Sequence, residues 1–165
     1  MPFLHSVLYV LFCGMMAHVI GEAVPRAWFH ADRFPYAPCK WEGDGAVYEK
    51  MGIQRWKDRL PDMSRVCKRM FPKRLDRFPT AERVERLIAE TCVAEATHGA
   101  LCLAAPVIWL FWRNYVGVIL SGTVVVCNLP FMMIQRYNRP KLVVLYKRLA
   151  AREEKKRNAS TDFVR

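Results

Sequence analysis

Three long apolar blocks alternate with basic, polar stretches along the 165 residues of the chain. The blocks cover approximately residues 3–24, 92–112 and 116–134, and none has a lysine or arginine in its interior. Each block is close to the ~20 residues that an α-helix needs to cross a ~30 Å hydrocarbon core. The alternative, a buried hairpin in a soluble core, would leave too little polar surface to cover three such blocks. The pattern therefore predicts an all-α integral membrane protein, with the whole chain, 1–165, as a single membrane domain.

The distribution of basic residues predicts the orientation of these spans. The net charge is +11, and of 26 Lys and Arg residues 15 lie in 26–90 and 10 in 136–165. The turn between the second and third blocks contains only Arg113. By the positive-inside rule, residues 25–90 and 136–165 are expected in the cytoplasm. The first block lacks a basic stretch before it, which favours an uncleaved anchor with the N-terminus outside and the C-terminus inside.

The polar stretches are predicted to form interfacial cytoplasmic helices. Prolines interrupt residues 25–79, which nonetheless carry many aromatic and large apolar side chains among the basic ones. This composition favours short helices at an anionic lipid surface over a solvated loop. Residues 141–157 are predicted to form a basic amphipathic helix. Because it directly follows a span, a role at the membrane surface is favoured over nucleic-acid binding.

A further helix is predicted to start at Thr80 and to run into the second span as far as Pro106. One stripe of this helix recurs at spacings of three and four residues, so its members should face other segments of the protein. The stripe consists of Val84, Ile88, Thr91, Glu95, His98 and Cys102.

Ionisable groups inside the bilayer are costly and are therefore candidates for function. A small set of ionisable and polar groups in the blocks lies toward the same leaflet. They are His18 and Glu22 in the first block, Glu95 and His98 in the second, and Asn128 in the third, with Arg136 just beyond it. The residues predicted to surround the mouth of the resulting site are Glu90, Gln135, Arg136, Asn138 and Arg139.

Three interpretations of this cluster remain open. In the first, His98 is a general base oriented by Glu95, while Asn128 and Arg136 bind an oxyanion or a headgroup. In the second, the Glu-x-x-His spacing of residues 95–98 and the His-x-x-x-Glu spacing of residues 18–22 together resemble the ligands of a carboxylate-bridged metal site, although a full di-metal set would need more carboxylates. In the third, the groups only satisfy one another between helices. We expect no metal and no bound cofactor.

Several segments resemble one family of small bacterial membrane proteins. They are Trp41-Glu42, Tyr48, residues 53–62, the ETxxAExxH-like residues 90–98 and the IQRYNRP-like residues 134–140 with the Asn-Leu-Pro that begins at Asn128. The family is the glycosyl-4,4'-diaponeurosporenoate acyltransferases. The resemblance implies an enzyme of the bacterial cell membrane that transfers a fatty acyl group to a hydroxyl of a membrane-embedded lipid or glycolipid, such as a glycosylated carotenoid.

Under this hypothesis the partners are the lipid acceptor and an acyl donor such as an acyl thioester. Headgroup phosphates of the donor would meet a basic surface that includes Arg55, Lys57, Arg136 and Arg139, and we include the neighbouring Trp56 among the substrate-binding candidates. Two alternatives belong to other classes: a non-enzymatic membrane partner or assembly protein, and a metal-dependent membrane enzyme. Three spans also leave room for a homo-oligomer that completes the site.

Overall fold

A computed structural model describes residues 2–60 and 79–163 of the chain, with side chains to residue 160. Its three long helices are α1 (Pro2–Ala23), α4 (Ala81–Ala104) and α6 (Tyr115–Phe163), and the described residues contain no strand. With the short helices that extend α4 to Trp112, all three are long and apolar enough to cross a membrane. The prediction of an all-α membrane protein with three spanning helices is confirmed.

Shorter elements connect the long helices. They are α2 (Ala46–Lys50), α3 (Ile53–Trp56) and α5 (Ile108–Trp112), with 3₁₀ turns at Arg26–Trp28, Lys40–Gly45, Lys57–Arg59 and Ala105–Val107. The short helices predicted after the first span are thus present as far as residue 60. The part of that prediction that concerns residues 61–78 lies outside the described residues.

Helix α4 begins where its sequence predicts. The side chain of Thr80 accepts a hydrogen bond from the backbone N–H of Arg83 at 3.3 Å, which satisfies one of the donors left open at a helix start. Pro106 interrupts the helix with a 3₁₀ turn, after which α5 continues to Trp112. The predicted stripe does face the protein: Val84, Ile88, Thr91 and Glu95 are buried, and His98 and Cys102 are partly buried.

A tight turn at Arg113 and Asn114 joins α5 to α6. Arg113 adopts a left-handed conformation (φ 43°) that ends α5. Gly117, in the first turn of α6, lies directly against α5, and a Cβ at this position would come within 3.0 Å of the Cα of Trp109. Glycine is required here because the two helix backbones meet without room for a side chain.

Helix α6 extends far beyond the predicted third span. It contains Pro130 and Pro140 in its interior and continues without a break to Phe163. Its distal part lies beside the start of α4, since a carboxylate oxygen of Glu153 accepts a hydrogen bond from the backbone N–H of Ala81 at 3.0 Å. The tail is therefore helical as predicted, and it continues α6 with Glu153 beside the start of α4.

The segment after α1 folds onto the middle of α6. Tyr48, Ile53 and Tyr137 form a buried apolar cluster, with Trp56 packed against it. Gly45 has a φ of 98°, and a Cβ added there would lie 3.5 Å from the carbonyl oxygen of Tyr137. Such a backbone conformation favours glycine, which here allows the loop to approach the helix closely.

Candidate active site

Two arginines of α6, just beyond the third predicted span, bind one carboxylate of α4 near the start of the second. Arg136 Nη1 donates to Glu95 Oε1 at 2.7 Å, and Arg139 Nη2 donates to Glu95 Oε2 at 2.5 Å. Glu95 is 7% exposed and Arg139 is 2% exposed, so the charges are largely shielded from solvent. We refer to Glu42, Glu95, Arg136 and Arg139 together as the arginine clamp. It joins α4, α6 and the loop that follows α1.

Arg136 is the centre of the clamp. Its Nε and Nη2 donate to the two carboxylate oxygens of Glu42 at 2.5 and 2.6 Å, which is a bidentate pair. Further N–H groups donate to the carbonyl oxygens of Pro35 and Ala37, both at 3.1 Å. The guanidinium has five N–H groups, and these contacts together with Glu95 use all of them. Arg136 is therefore saturated by the protein itself.

Arg139 fixes the same loop from one turn further along α6. Its Nε donates to the Thr91 hydroxyl at 2.9 Å, and its Nη1 donates to the carbonyl oxygen of Tyr36 at 2.6 Å. The guanidinium also lies 5.5 Å from the centre of the Tyr36 ring, within the range of a cation–π contact. Like Arg136, Arg139 is committed to contacts within the protein.

Glu42 is held ionised by its partners, although it is only 1% exposed. Burial raises the pKa of this carboxyl, but hydrogen bonds from Arg136, the Tyr48 hydroxyl and the backbone N–H of Cys39 outweigh that effect and lower the pKa from 4.5 to about 2. Burial and the contact with Glu42 raise the pKa of Tyr48, so its hydroxyl stays protonated and remains a donor. The ionised form of Glu42 is thus the form that stabilises the fold.

This shift predicts a pH dependence of stability. Because the pKa of Glu42 is depressed in the folded protein, its contribution is complete above about pH 4.5 and is lost as the pH falls toward about 2. Thermal unfolding in detergent should show that Glu42→Gln has a lower Tm than the wild type at pH 7. The difference in Tm should shrink between about pH 5 and about pH 2, the range of this titration. A constant difference across that range would contradict this assignment.

His98 meets Asn128 across the interface of α4 and α6. His98 Nδ1 lies 2.8 Å from Asn128 Oδ1, and Asn128 Nδ2 donates to the carbonyl oxygen of Val124 at 2.8 Å. The imidazole stacks on Phe131 with ring centroids 4.6 Å apart and an interplanar angle of 9°. Since the amide oxygen only accepts, Nδ1 carries the proton, and the lone pair of the neutral ring is on Nε2.

The structure corrects the expected pairing within this cluster. Both carboxylate oxygens of Glu95 accept hydrogen bonds from arginines, whereas the side chain bonded to His98 Nδ1 is Asn128. Glu95 therefore belongs to the clamp and does not orient the imidazole as predicted. The geometry also gives Arg136 no N–H group left over for an oxyanion, because its donors are used by protein acceptors. One of the two N–H groups of the Asn128 amide donates to the carbonyl oxygen of Val124.

The remaining predicted residues lie around the clamp, and not all of them join it. Glu90 is buried and accepts hydrogen bonds from Arg26 at 2.9 and 3.2 Å, while Glu22 is exposed, with 3.8 Å between its carboxylate and the Arg26 guanidinium. Among the described residues, His18 makes no hydrogen bond or ion pair. Among the described residues, no hydrogen bond or ion pair therefore joins the α1 pair of His18 and Glu22 to His98.

Three predicted substrate-binding residues lie near Tyr137. The amino group of Lys57 is 5.2 Å from the centre of the Tyr137 ring, and the indole N–H of Trp56 donates to the carbonyl oxygen of Met51 at 3.4 Å. Asn138 is partly buried on α6. Trp56 and Lys57 thus contact the apolar cluster of Tyr48, Ile53 and Tyr137.

A large cavity adjoins the clamp on the side away from the middle of the bilayer. It has a volume of about 1190 Å³ and lies between the loop after α1, the first turns of α4 and residues 136–147 of α6. Arg136, Arg139 and Glu42 form part of its wall. We refer to it as the boundary cavity, since it begins where the predicted spans end.

Sequence reasoning missed Glu42 and Arg26 as members of this site. Glu42 lies 94 residues from Arg136, and Arg26 lies 64 residues from Glu90. The segment Trp41-Glu42 is part of the family resemblance and could have indicated Glu42. No pattern in the sequence indicated that its partner is Arg136. Within the described part of the chain, no group of three or more His, Cys, Asp or Glu side chains is arranged to hold a metal ion.

The three apolar helices, together with the charged groups gathered at one end of α4 and α6, define a small helical membrane protein with a polar site at the membrane boundary. Residues 25–148 match the family model described as glycosyl-4,4'-diaponeurosporenoate acyltransferase, which is most of the chain. The chain belongs to this family and is an acyltransferase, as its sequence motifs indicated.

Curated relatives agree with this assignment. Glycosyl-4,4'-diaponeurosporenoate acyltransferases of Staphylococcus aureus strains bovine RF122 / ET3-1 and MRSA252 are each 25% identical to this chain over 154 residues. The protein of strain N315 is 24% identical over 149 residues. In all three the alignment covers 90% of both chains. No solved structure matches this chain.

Proposed function

We propose that this protein transfers a fatty acyl group from a thioester donor to a hydroxyl of a membrane-embedded lipid or glycolipid, such as a glycosylated carotenoid. The observation that carries the proposal is the imidazole of His98, held by Asn128 between two apolar helices of a chain that belongs to an acyltransferase family. The relatives are named for a glycosylated carotenoid acid, and this name supports a glycolipid as acceptor.

In the proposed reaction His98 is the general base. Nε2 accepts the proton of the acceptor hydroxyl. At the same time the oxygen of that hydroxyl attacks the carbonyl carbon of the thioester and forms a tetrahedral adduct. The C–S bond then breaks, the ester is formed, and the imidazolium returns the proton to the departing thiolate. Reactants and products balance as thioester plus alcohol giving ester plus thiol, with no oxidant or reductant required.

Asn128 positions the base in this scheme. Its amide is oriented by the bond from Nδ2 to the Val124 carbonyl, which leaves Oδ1 pointing at His98 Nδ1. The bond stabilises the tautomer whose lone pair is on Nε2, and the stacked ring of Phe131 limits rotation of the imidazole. Asn128 thus replaces Glu95 in the role that the sequence suggested for the acid.

The proposal is tested by mass spectrometry of lipid and carotenoid extracts. Native host cells with the gene deleted should lack a product that is heavier than its precursor by one fatty acyl group. Expression of the wild-type chain should restore that product. If the deletion strain and the complemented strain have the same acylated lipids, the proposed acyl transfer is wrong. The deletion strain is also complemented with the His98→Ala chain at the same protein level. This strain should lack the acylated product, which would connect the product to His98.

We further propose that the protein spans the bacterial cell membrane with its N-terminus outside and its C-terminus in the cytoplasm. The turn at Arg113 would then face outward, and Cys39, which is exposed in the loop after α1, would face inward. A membrane-impermeant maleimide should label an Arg113→Cys variant in intact cells, and Cys39 only after lysis. Labelling of Cys39 in intact cells would reverse the orientation.

A further inference from the structure

We propose that the side-chain amide of Gln135 stabilises the oxyanion that forms when the acceptor hydroxyl attacks the thioester carbonyl, an inference that rests on the proposed function. The tetrahedral adduct needs a hydrogen-bond donor beside the carbonyl oxygen, because negative charge gathers on that atom. The guanidinium of Arg136, which the sequence suggested for this role, is saturated by protein acceptors. The donor therefore has to come from another group at the interface of α4 and α6.

Gln135 is a buried side chain without a hydrogen-bond partner among the described residues. It is only 8% exposed, yet its amide neither donates to nor accepts from any of them. Burial of an amide without a partner is costly, so nearly all buried side-chain amides are hydrogen-bonded. On the same helix the side chains of Asn128 and Arg139 do have partners. The exception at Gln135 indicates a donor that is available to a ligand.

Gln135 lies on the face of α6 that packs against α4. Phe131, four residues before it, stacks on the imidazole of His98. Arg139, four residues after it, binds Glu95. Residues four apart share one face of a helix, so Gln135 lies between the imidazole and the clamp. Helical side chains also lean toward the N-terminus of their helix, which for Gln135 is the direction of Phe131 and the imidazole.

The orientation of the imidazole places its base nitrogen on the side of Gln135. Nδ1 of His98 lies 2.8 Å from Asn128 Oδ1, so the edge of the ring with Nε2 faces away from Asn128. Along α6, Gln135 follows Phe131 by about 6 Å in the same direction. A carbonyl that reacts between base and donor separates them by about 5–7 Å, since each forms a hydrogen bond of about 3 Å. One helical turn therefore provides the spacing that the reaction needs.

Space for the reacting carbonyl is available at Gly99, the residue after His98. A Cβ added to Gly99 would lie 3.8 Å from the Cε of Met132, so a methionine methyl group lies against the position where α4 has no side chain. Methionine side chains are flexible and adopt other rotamers readily. Because Gly99 and Met132 are both partly exposed, an acyl chain from the surrounding lipid reaches His98 when the thioether moves aside.

The amide acts on the charge that develops in the reaction. As the hydroxyl oxygen bonds to the carbonyl carbon, the π electrons move to the carbonyl oxygen, and Gln135 Nε2–H donates to it. The C=O bond forms again when the C–S bond breaks, and His98 returns the proton to the thiolate. A hydrogen bond to an anion is stronger than one to a neutral carbonyl, so the amide stabilises the transition state more than the bound substrate.

The first test is Gln135→Met, which keeps the length of the side chain and removes both polar atoms. Loss of one oxyanion donor usually lowers kcat by about 10²–10³-fold, and we expect the initial rate of acyl transfer to fall by that factor. The Tm should equal or exceed that of the wild type, because the change removes a buried amide without a partner. A rate close to the wild type, or a rate lost together with a lowered Tm, would overturn the inference.

The matched control is Gln54→Met, which makes the same change at a glutamine that has a partner. Its amide donates to the Tyr137 hydroxyl at 3.1 Å, and its side chain is exposed. This variant should keep the wild-type rate of acyl transfer, and its Tm should not rise. The contrast in Tm between the two variants distinguishes an amide without a partner from one that stabilises the fold.

A binding measurement separates this inference from the proposed function. The probe is pentadecyl trifluoromethyl ketone, whose hydrated carbonyl carbon is tetrahedral, titrated into the full-length protein in nanodiscs and followed by fluorine NMR. Gln135→Met should raise its Kd at least about tenfold, and Gln54→Met should leave it unchanged. Equal Kd values for the wild type and Gln135→Met would overturn the oxyanion site even if acyl transfer occurs. Binding that depends on Gln135 in a protein that makes no acylated lipid would support the site and contradict the acyl transfer.

Discussion

Replacing Arg136 with methionine is expected to lower the free energy of unfolding by about 3–5 kcal/mol, the usual effect of removing one partner of a buried ion pair. The substitution leaves Glu42 buried at 1% exposure without its guanidinium partner, and it removes one of the two arginines bonded to Glu95. It also frees the carbonyl oxygens of Pro35 and Ala37 from the helix. The loop after α1 should therefore detach from α6 together with the loss of stability.

The measurement is the unfolding transition of purified protein in mixed micelles, with Lys141→Met as the matched control. Lys141 also forms an ion pair, at 2.6 Å from Glu49, but both side chains are about half exposed. Solvent screens an exposed ion pair, so this variant should remain close to the wild type. Equal effects of Arg136→Met and Lys141→Met on the unfolding transition would show that the buried ion pairs of the clamp contribute no more to stability than an exposed pair.

A second substitution distinguishes charge from geometry at the same position. Arg136→Lys keeps the positive charge but cannot form the bidentate bond to Glu42 while also reaching Glu95 and two carbonyl oxygens. We expect its stability to lie between those of the wild type and Arg136→Met. Stability equal to the wild type would mean that only the net charge of the site matters.

Replacing His98 with alanine is expected to reduce the rate of acyl transfer by about 10²–10⁴-fold, the usual contribution of a general base. The change removes Nε2, the atom proposed to take the hydroxyl proton. It leaves the clamp intact, so the unfolding transition should move much less than in Arg136→Met. The measurement is the initial rate of formation of acylated lipid in membranes with matched amounts of protein.

The control is His5→Ala, which removes a histidine from the opposite end of the membrane domain, where His5 lies beside Phe111. This variant should keep the wild-type rate. Asn128→Leu should also slow the reaction, since it removes the acceptor of His98 Nδ1–H, and Asn128→Asp should restore part of the rate. A wild-type rate in His98→Ala would exclude the proposed base and return the imidazole to a structural role between helices.

These two sets of variants address different parts of one arrangement. The clamp joins α4 to α6 and to the loop after α1, and the contact of His98 with Asn128 lies about one helical turn further along the same interface. Stability lost at Arg136 should therefore also reduce activity, whereas activity lost at His98 should not reduce stability. This asymmetry distinguishes a residue that builds the site from one that acts in it.

The sequence pattern was sufficient to predict the three spans, the start of α4 and the family. Apolar length alone predicts the three membrane helices, because a helix must satisfy its backbone polar groups within the hydrocarbon core. Thr80 and the stripe from Val84 to Cys102 predict α4 and its packed face, since both are properties of a single helix. The ETxxAExxH-like and IQRYNRP-like segments were specific enough for the family. These features all depend on neighbours along the chain.

The partners of the charged groups were decided only by the tertiary structure. From sequence, Glu95 and His98 are three residues apart on one helical face, which made them look like a pair. In the folded protein Glu95 binds arginines more than 40 positions away, and His98 binds Asn128, 30 positions away. A buried carboxylate is stabilised strongly by guanidinium groups, because they can donate hydrogen bonds to both of its oxygens. Which arginines reach it depends on how α6 continues past Pro130 and how the loop with Glu42 folds back, and no local pattern in the sequence specifies either.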